Sequence, residues 1–173
     1  MNYYVVETDK HKLIQKTAGV KARQDVETIF KWNNLKKIEI PCLIEGRENK
    51  TRLGKIKAHY DVYKLWNNAL KKIKKNDWIY IQFPLLEHTM LFSLLIKKLE
   101  KRGIHTSIII HDVEAIRFTL RNDVPLSRKI RMRFEEISSF KNCSKIVVHN
   151  EKMKSFMHEK WKIHKDKMDI LEI

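Results

Sequence analysis

Glycine is scarce in this 173-residue chain, at 4, and proline scarcer, at 3. So few flexible or helix-breaking residues exclude a collagen-like, low-complexity or linker-rich protein. The 2 cysteines, Cys42 and Cys143, are too few for a disulfide framework and lack zinc-ligand spacing, which points to a reducing cytoplasm. No window reaches the ~18 apolar residues of a membrane span, and the best, Thr89 to Ile96, is too short. Early charges at Glu7, Asp9 and Lys10 exclude a signal peptide. Neither the GxGxxG nor the GxxxxGK[ST] spacing occurs, so no phosphate-cradling glycine loop is signalled.

Acidic residues are also under-represented. Thirty-six Lys and Arg stand against 21 Asp and Glu, a formal charge of +15. That excess implies a polyanionic neighbour: nucleic acid, an anionic membrane face or phosphate-bearing ligands. Solvated lysine-rich faces alone would produce the same count. Nucleic acid is disfavoured, because no recognition motif is present and the lysines are spread over all the helical segments.

What is present suits one globular domain, since 43% hydrophobic residues at this length supply a genuine core. Tyr3 to Thr8 reads as a first strand, followed after a polar loop by a helix from Ala18 to Trp32. Ile38 to Ile44 reads as a second strand, placed at a sheet edge by Pro41. Glu45 to Lys55 reads as a loop, after which Ile56, Tyr60, Tyr63, Trp66, Leu70 and Ile73 recur at helical spacing. Trp78 to Phe83 is a third strand closed by Pro84, and Glu87 to Lys101 a helix stopped by Gly103. Thr106 to Ile110 is a fourth strand, and Pro125 to Phe140 a helix that is basic at its start. Lys145 to Val148 makes a fifth, Asn150 caps a helix through Trp161, and Met168 to Leu171 opens a sixth strand. Strand and helix alternating five times predict an α/β fold with a Rossmann-like, doubly wound parallel sheet. Because Asp169 to Ile173 follows as apolar strand-like chain, further chain or another subunit is expected to cover this edge.

A parallel sheet collects its functional loops beyond the carboxyl ends of its strands. The most informative of these follows Ile108–Ile110, where a β-branched run ends abruptly in His111–Asp112, with Glu114 and Arg117 close behind. His111 suits a general base, Asp112 can orient it, and Arg117 can hold a phosphate or carboxylate. The plainer alternative is an Asp that caps a turn and a His that satisfies a carbonyl. After the third strand, Gln82 and Phe83 on a proline-stiffened loop suit stacking on a sugar, or Phe83 simply packs. After the first, Thr17, Ala18 and Lys21 run into a helix N-terminus whose free N–H groups attract phosphate, or Thr17 is only an N-cap. His105, His111 and His149 lack metal-ligand spacing, and no metal is expected. Met153, Phe156, Met157 and Trp161 form an apolar stripe that is either core-facing or an interfacial membrane patch.

Four segments in order carry a resemblance. Lys16-Thr17-Ala18-Gly19-Val20-Lys21-Ala22-Arg23-Gln24-Asp25-Val26-Glu27 resembles the first loop and helix of a bacterial glycosyltransferase family. Asn76 to Pro84 is similar to its "GD-apolar-QYP" strand, His111 to Phe118 to its "HDxxxLR" segment, and Val148 to Met153 to its "VHNEKM" turn. Asn76, Phe83 and Ile116 stand where that family usually has Gly, Tyr and Leu. The family comprises the β-1,6-galactofuranosyltransferase-like enzymes and the glucosyltransferase that extends serine-rich adhesin glycans. The resemblance implies GT-B architecture, in which residues 1–173 are the N-terminal, acceptor-side domain and the C-terminal nucleotide-sugar domain has no counterpart. It implies transfer of a hexosyl group from a nucleotide-sugar, expected to be a UDP-sugar, to a glycan, glycolipid or glycoprotein acceptor in polysaccharide biosynthesis, without a metal or cofactor. Thr17, Ala18 and Lys21 would then reach the donor, Gln82, Phe83 and Arg117 the acceptor, and His111 or Asp112 would deprotonate the acceptor hydroxyl. The expected partners are the two substrates, a C-terminal domain or partner subunit, and an anionic inner membrane face on which the chain sits peripherally. The alternatives are a non-catalytic companion subunit, or a basic Rossmann-like module that binds an anionic membrane or nucleic acid.

Overall fold

The computed structural model describes residues 1–8, 18–43, 51–117 and 123–171. Six strands, β1 (Asn2–Thr8), β2 (Lys36–Pro41), β3 (Trp78–Phe83), β4 (His105–Ile110), β5 (Lys145–Val148) and β6 (Met168–Ile170), form one sheet in the order β2-β1-β3-β4-β5-β6. Every pairing is parallel. The helices are α1 (Ala18–Trp32), α2 (Arg52–Ala69), α3 (Phe92–Lys101), the short α4 (Glu114–Arg117), α5 (Leu126–Met132), α6 (Ser138–Asn142) and α7 (Glu151–Trp161). A π-helical turn, Arg133–Ile137, joins α5 to α6. The fold is the doubly wound α/β sheet expected, and β2 occupies the edge that Pro41 predicts.

Right-handed crossovers decide which face each helix covers. The chain steps one way from β1 to β2 and then returns past β1 to β3, so α1 lies on one face and the later helices on the other. Alternation along the strands matches this division. Val5, Ile79, Ile81, Ile108 and Ile146 point into the larger core with Val62 and Trp66 of α2, Leu95 and Leu99 of α3, and Met157 of α7. Tyr4 and Ile109 point the other way, against Val26 and Phe30 of α1. The reversal of direction between β1 and β3 is the topological switch point, where sheets of this kind open a crevice.

Local chemistry explains most boundaries. Gly103 has φ +72° and ends α3 as expected, with Ile104 N–H returning to the Leu99 carbonyl (3.1 Å). Asn150 caps α7 by accepting from Met153 N–H (2.9 Å), and the apolar stripe of α7 is a core stripe, with Met157 fully buried. Three expectations need correction. The loop expected at Glu45–Lys55 ends earlier: Thr51 accepts from Gly54 N–H (3.2 Å) and starts α2 at Arg52, while residues 44–50 lie outside the described part. The second strand spans Lys36–Pro41 instead of Ile38–Ile44. The helix expected from Glu87 begins only at Phe92, because side chains from other elements take the N–H groups of Leu86, Glu87 and Thr89.

Candidate active site

Beyond the carboxyl ends of β1 and β3 lies a cavity of about 150 Å³. At ~30 Å³ per water that is room for a few waters or one end of a ligand, not for a whole disaccharide. Its polar lining is Glu7 from the tip of β1, Arg23, Gln24 and Glu27 from α1, and Gln82 from β3, against the apolar walls of Val20 and Leu86.

Glu7 and Arg23 hold the loop that follows β3. Glu7 accepts the N–H groups of Leu86 (2.7 Å) and Glu87 (3.3 Å), and the Arg23 guanidinium donates to the Pro84 carbonyl. Burial pushes the Glu7 pKa up to about 7 against the pull of those two N–H groups and of Arg23. Burial also lowers the pKa of Arg23, opposed by Glu7 and Glu27. Glu7 is not among the site residues expected from the sequence, and Arg23 appears there only within the Lys16–Glu27 segment. The one available signal was a carboxylate ending an otherwise apolar strand.

His111 follows β4 directly, and its N–H continues the ladder to the Phe83 carbonyl (2.8 Å). Its Nε2 lies 2.7 Å from Oε1 of the buried Gln82. With that oxygen as acceptor, Nε2 carries the proton and Nδ1 keeps its lone pair. Nδ1 is buried and has no hydrogen-bond partner among the described residues. Burial, then Arg23, then His149 lower the His111 pKa to about 4, so the ring is neutral at physiological pH. The His149 ring stands 6.2 Å away, and its Nε2 is 3.3 Å from the His111 carbonyl oxygen.

Gln82, not Asp112, therefore orients His111. The Asp112 carboxylate accepts from Val113 N–H (2.8 Å) and pairs with Arg117 at 2.6 Å. Arg117 is exposed, and neither partner of the pair lines the cavity. Phe83 is a clear correction to the expected acceptor set. It is 0% exposed in the larger core, edge-on to Phe140 at 5.2 Å. Neighbouring residues of a strand face opposite sides, so Gln82 at the cavity requires Phe83 to be inside. Lys21 is exposed on α1, Ala18 begins that helix, and Thr17 lies outside the described residues.

A second set of buried carboxylates supports the loop after β4. Glu136, on the π turn and 1% exposed, accepts from the N–H groups of Glu114 (3.2 Å) and Ala115 (2.8 Å), the first residues of α4. Burial raises its pKa to about 7. Its neighbour Glu135, 0% exposed, takes His88 Nδ1 (2.9 Å), Thr89 N–H (3.2 Å) and Arg131 (2.9 Å). Arg131 also donates to Glu114. One π turn thus grips the loops beyond both β3 and β4, consistent with the frequent placement of such turns beside functional sites.

A six-stranded parallel sheet with a charged cavity at its switch point, and a half-buried His111 hydrogen-bonded to the Gln82 that lines it, defines a doubly wound α/β domain. The chain belongs to the glucosyltransferase 3-like N-terminal domain family, whose sequence profile matches residues 2–173. It is thus the N-terminal domain of a glucosyltransferase-type enzyme. No curated protein matches it. The four motif segments divide in the structure. Gln82, His111 and His149 lie at the carboxyl edge, whereas Asn76–Asp77 lie at the opposite end of β3. There Asp77 accepts from the terminal ammonium group of Met1 (2.7 Å) and from Lys74 N–H (2.9 Å). Asn76 has φ +68°, a conformation glycine adopts freely and asparagine tolerates, which accounts for Asn at a position where glycine is usual.

Proposed function

We propose that this domain is the acceptor side of a GT-B glycosyltransferase that moves a hexosyl group from a nucleotide-sugar, of the UDP type, to a glycan, glycolipid or glycoprotein. The carrying observation is His111: neutral, oriented by Gln82, and holding an Nδ1 without a partner among the described residues, at the carboxyl edge of the sheet in a chain of a glucosyltransferase family. In the reaction, the acceptor hydroxyl oxygen forms the new bond to the anomeric carbon. The bond from that carbon to the diphosphate oxygen breaks, and the hydroxyl proton passes to His111 Nδ1. A nearby diphosphate would raise the His111 pKa from its low value as negative charge develops, which makes the base stronger when it is needed.

The donor side is assigned to Thr17, Ala18 and Lys21, where the N-terminus of α1 and the lysine charge would meet the diphosphate. Gln82 and Arg117 are assigned to the acceptor side, and Asp112 holds Arg117. Phe83 has no substrate role. The nucleotide would be held mainly by a second domain, in cis or on a partner chain.

The test is transfer of labelled sugar from the UDP-sugar by the enzyme containing both halves. His111→Ala is expected to lower kcat about 10²–10⁴-fold, the usual contribution of a general base, with little change in KM for the donor. Turnover within a few-fold of the parent would overturn the role of His111.

A further inference from the structure

The helical layer over the larger core carries a surface that the cavity does not use. On α2, Leu53, Ile56 and Tyr60 are exposed at 79%, 66% and 52%. On α5 and the π turn, Leu126, Ile130 and Phe134 are exposed at 72%, 41% and 49%. The spacings i, i+3, i+7 and i, i+4, i+8 place each set along a single helix face. Leu94 of the intervening α3 is 55% exposed. These elements are tied side by side, since Thr89 donates its hydroxyl to the His59 carbonyl (2.9 Å) and its N–H to Glu135 (3.2 Å).

The charge on this layer is one-sided. Every exposed charged side chain of α2, α3, α5 and the π turn is Lys or Arg. Of their acids, Glu135 and Glu136 are buried and Asp61 and Glu100 half-buried. The bias is local: α1 exposes Asp25, and α7 exposes Glu151 and Glu159 beside its lysines. Apolar side chains standing out among lysines and arginines, with Asp123 just ahead of α5 as an exposed acid at the edge of the patch, match the headgroup boundary of an anionic bilayer.

We infer that the outer face of α2, α3 and α5 docks on an anionic lipid surface. Leu53, Ile56, Leu126, Ile130 and Phe134 enter the headgroup boundary while Lys57, Lys64 and Lys129 meet lipid phosphates. A second copy of the chain fits poorly, because a two-fold contact would set this basic rim against itself. The exposed apolar residues lie in the N-terminal halves of α2 and of the Leu126–Asn142 helical segment. Helices that return antiparallel to the strands bring those halves toward the carboxyl edge, so docking leaves the cavity close to the lipid.

Co-sedimentation of the chain with phosphatidylcholine vesicles, with and without phosphatidylglycerol, tests this. Binding is expected only with phosphatidylglycerol and is expected to weaken with salt. Lys57→Glu/Lys64→Glu/Lys129→Glu should reduce partitioning at least on the order of 100-fold, from roughly fivefold for each basic residue lost. Leu126→Ser/Ile130→Ser/Phe134→Ser should also release the protein, with an unchanged circular dichroism spectrum. Lys31→Glu/Lys152→Glu/Lys160→Glu, with the same net charge change on α1 and α7, should bind nearly as the parent does. Equal losses in the two charge-reversed variants would overturn the assignment of this face. So would unaltered binding by the serine variant, equal binding to phosphatidylcholine alone, or a parent dimer that the serine variant abolishes.

Discussion

Glu136→Gln tests the central physical claim about the site's support, that a buried carboxylate on the π turn holds the start of α4. In the folded chain this group titrates at about 7 against an ordinary value of 4.5, chiefly because it is buried. A raised carboxylate pKa means the folded state binds the proton more tightly than the unfolded state. Its stabilising contribution is complete below the ordinary value and is lost as pH rises through the folded one. The shift corresponds to about 3 kcal/mol, spread between about pH 4.5 and pH 7, with a slope approaching about 1.4 kcal/mol per pH unit. Glutamine occupies the same space and cannot titrate. Its one carbonyl oxygen keeps at most part of the bonding to Glu114 and Ala115, so the variant carries a pH-independent loss of about 1–2 kcal/mol. The difference in unfolding free energy, parent minus variant, should therefore fall by about 3 kcal/mol from acid to neutral pH. Urea unfolding followed by tryptophan fluorescence, repeated across that range for both proteins, measures it. Parallel pH profiles would refute the reasoning, since the carboxylate would then not be buried as described.

Two further substitutions probe the fold around the site. Phe83→Ala should cost about 3–5 kcal/mol of stability in the same urea assay, because the ring is fully buried against Phe140 and Phe92. A loss below about 1 kcal/mol would return Phe83 to the surface and to the acceptor. Gly103→Ala should cost about 1–2 kcal/mol through its left-handed φ of +72°. The added Cβ would also meet Lys75 Cγ at 2.8 Å and Cδ and Cε at 3.4 Å, so the stem of that lysine must shift as well. A neutral or stabilising alanine would show that the turn relaxes at no cost.

Elements set by local pattern were legible in the sequence. The helix Ala18–Trp32 and the strands Trp78–Phe83 and Lys145–Val148 match their expected bounds, and the cap at Asn150 is where its side chain requires it. The alternation that places Gln82 at the cavity and Phe83 in the core was also available. The proline after Phe83 suggests a loop and masks that alternation. Expectation failed at residues 84–91, where the helical pattern runs on from Glu87 but the chain does not. The N–H groups that would open the first turn belong instead to Glu7 and Glu135, which lie far away in sequence. Local periodicity carries no information about a partner 79 residues distant.

That failure has a physical logic of its own. Side chains at the carboxyl edge must be held at defined positions on loops, and a loop lacks the ladder that fixes a strand. This domain supplies the missing bonds with carboxylates: Glu7 grips residues 86 and 87, Glu135 grips 88 and 89, and Glu136 grips 114 and 115. Glu7 and Glu136 have pKa values raised to about 7, so each is costly to keep charged at neutral pH. A carboxylate that accepts two N–H groups is a stronger clamp than a neutral amide, and the cost of burial is offset where the clamp positions Gln82 and His111. Polar residues at a strand's end, such as His111, can be read from composition and strand endings. The acids that hold their loops are visible only once the fold has brought distant segments together.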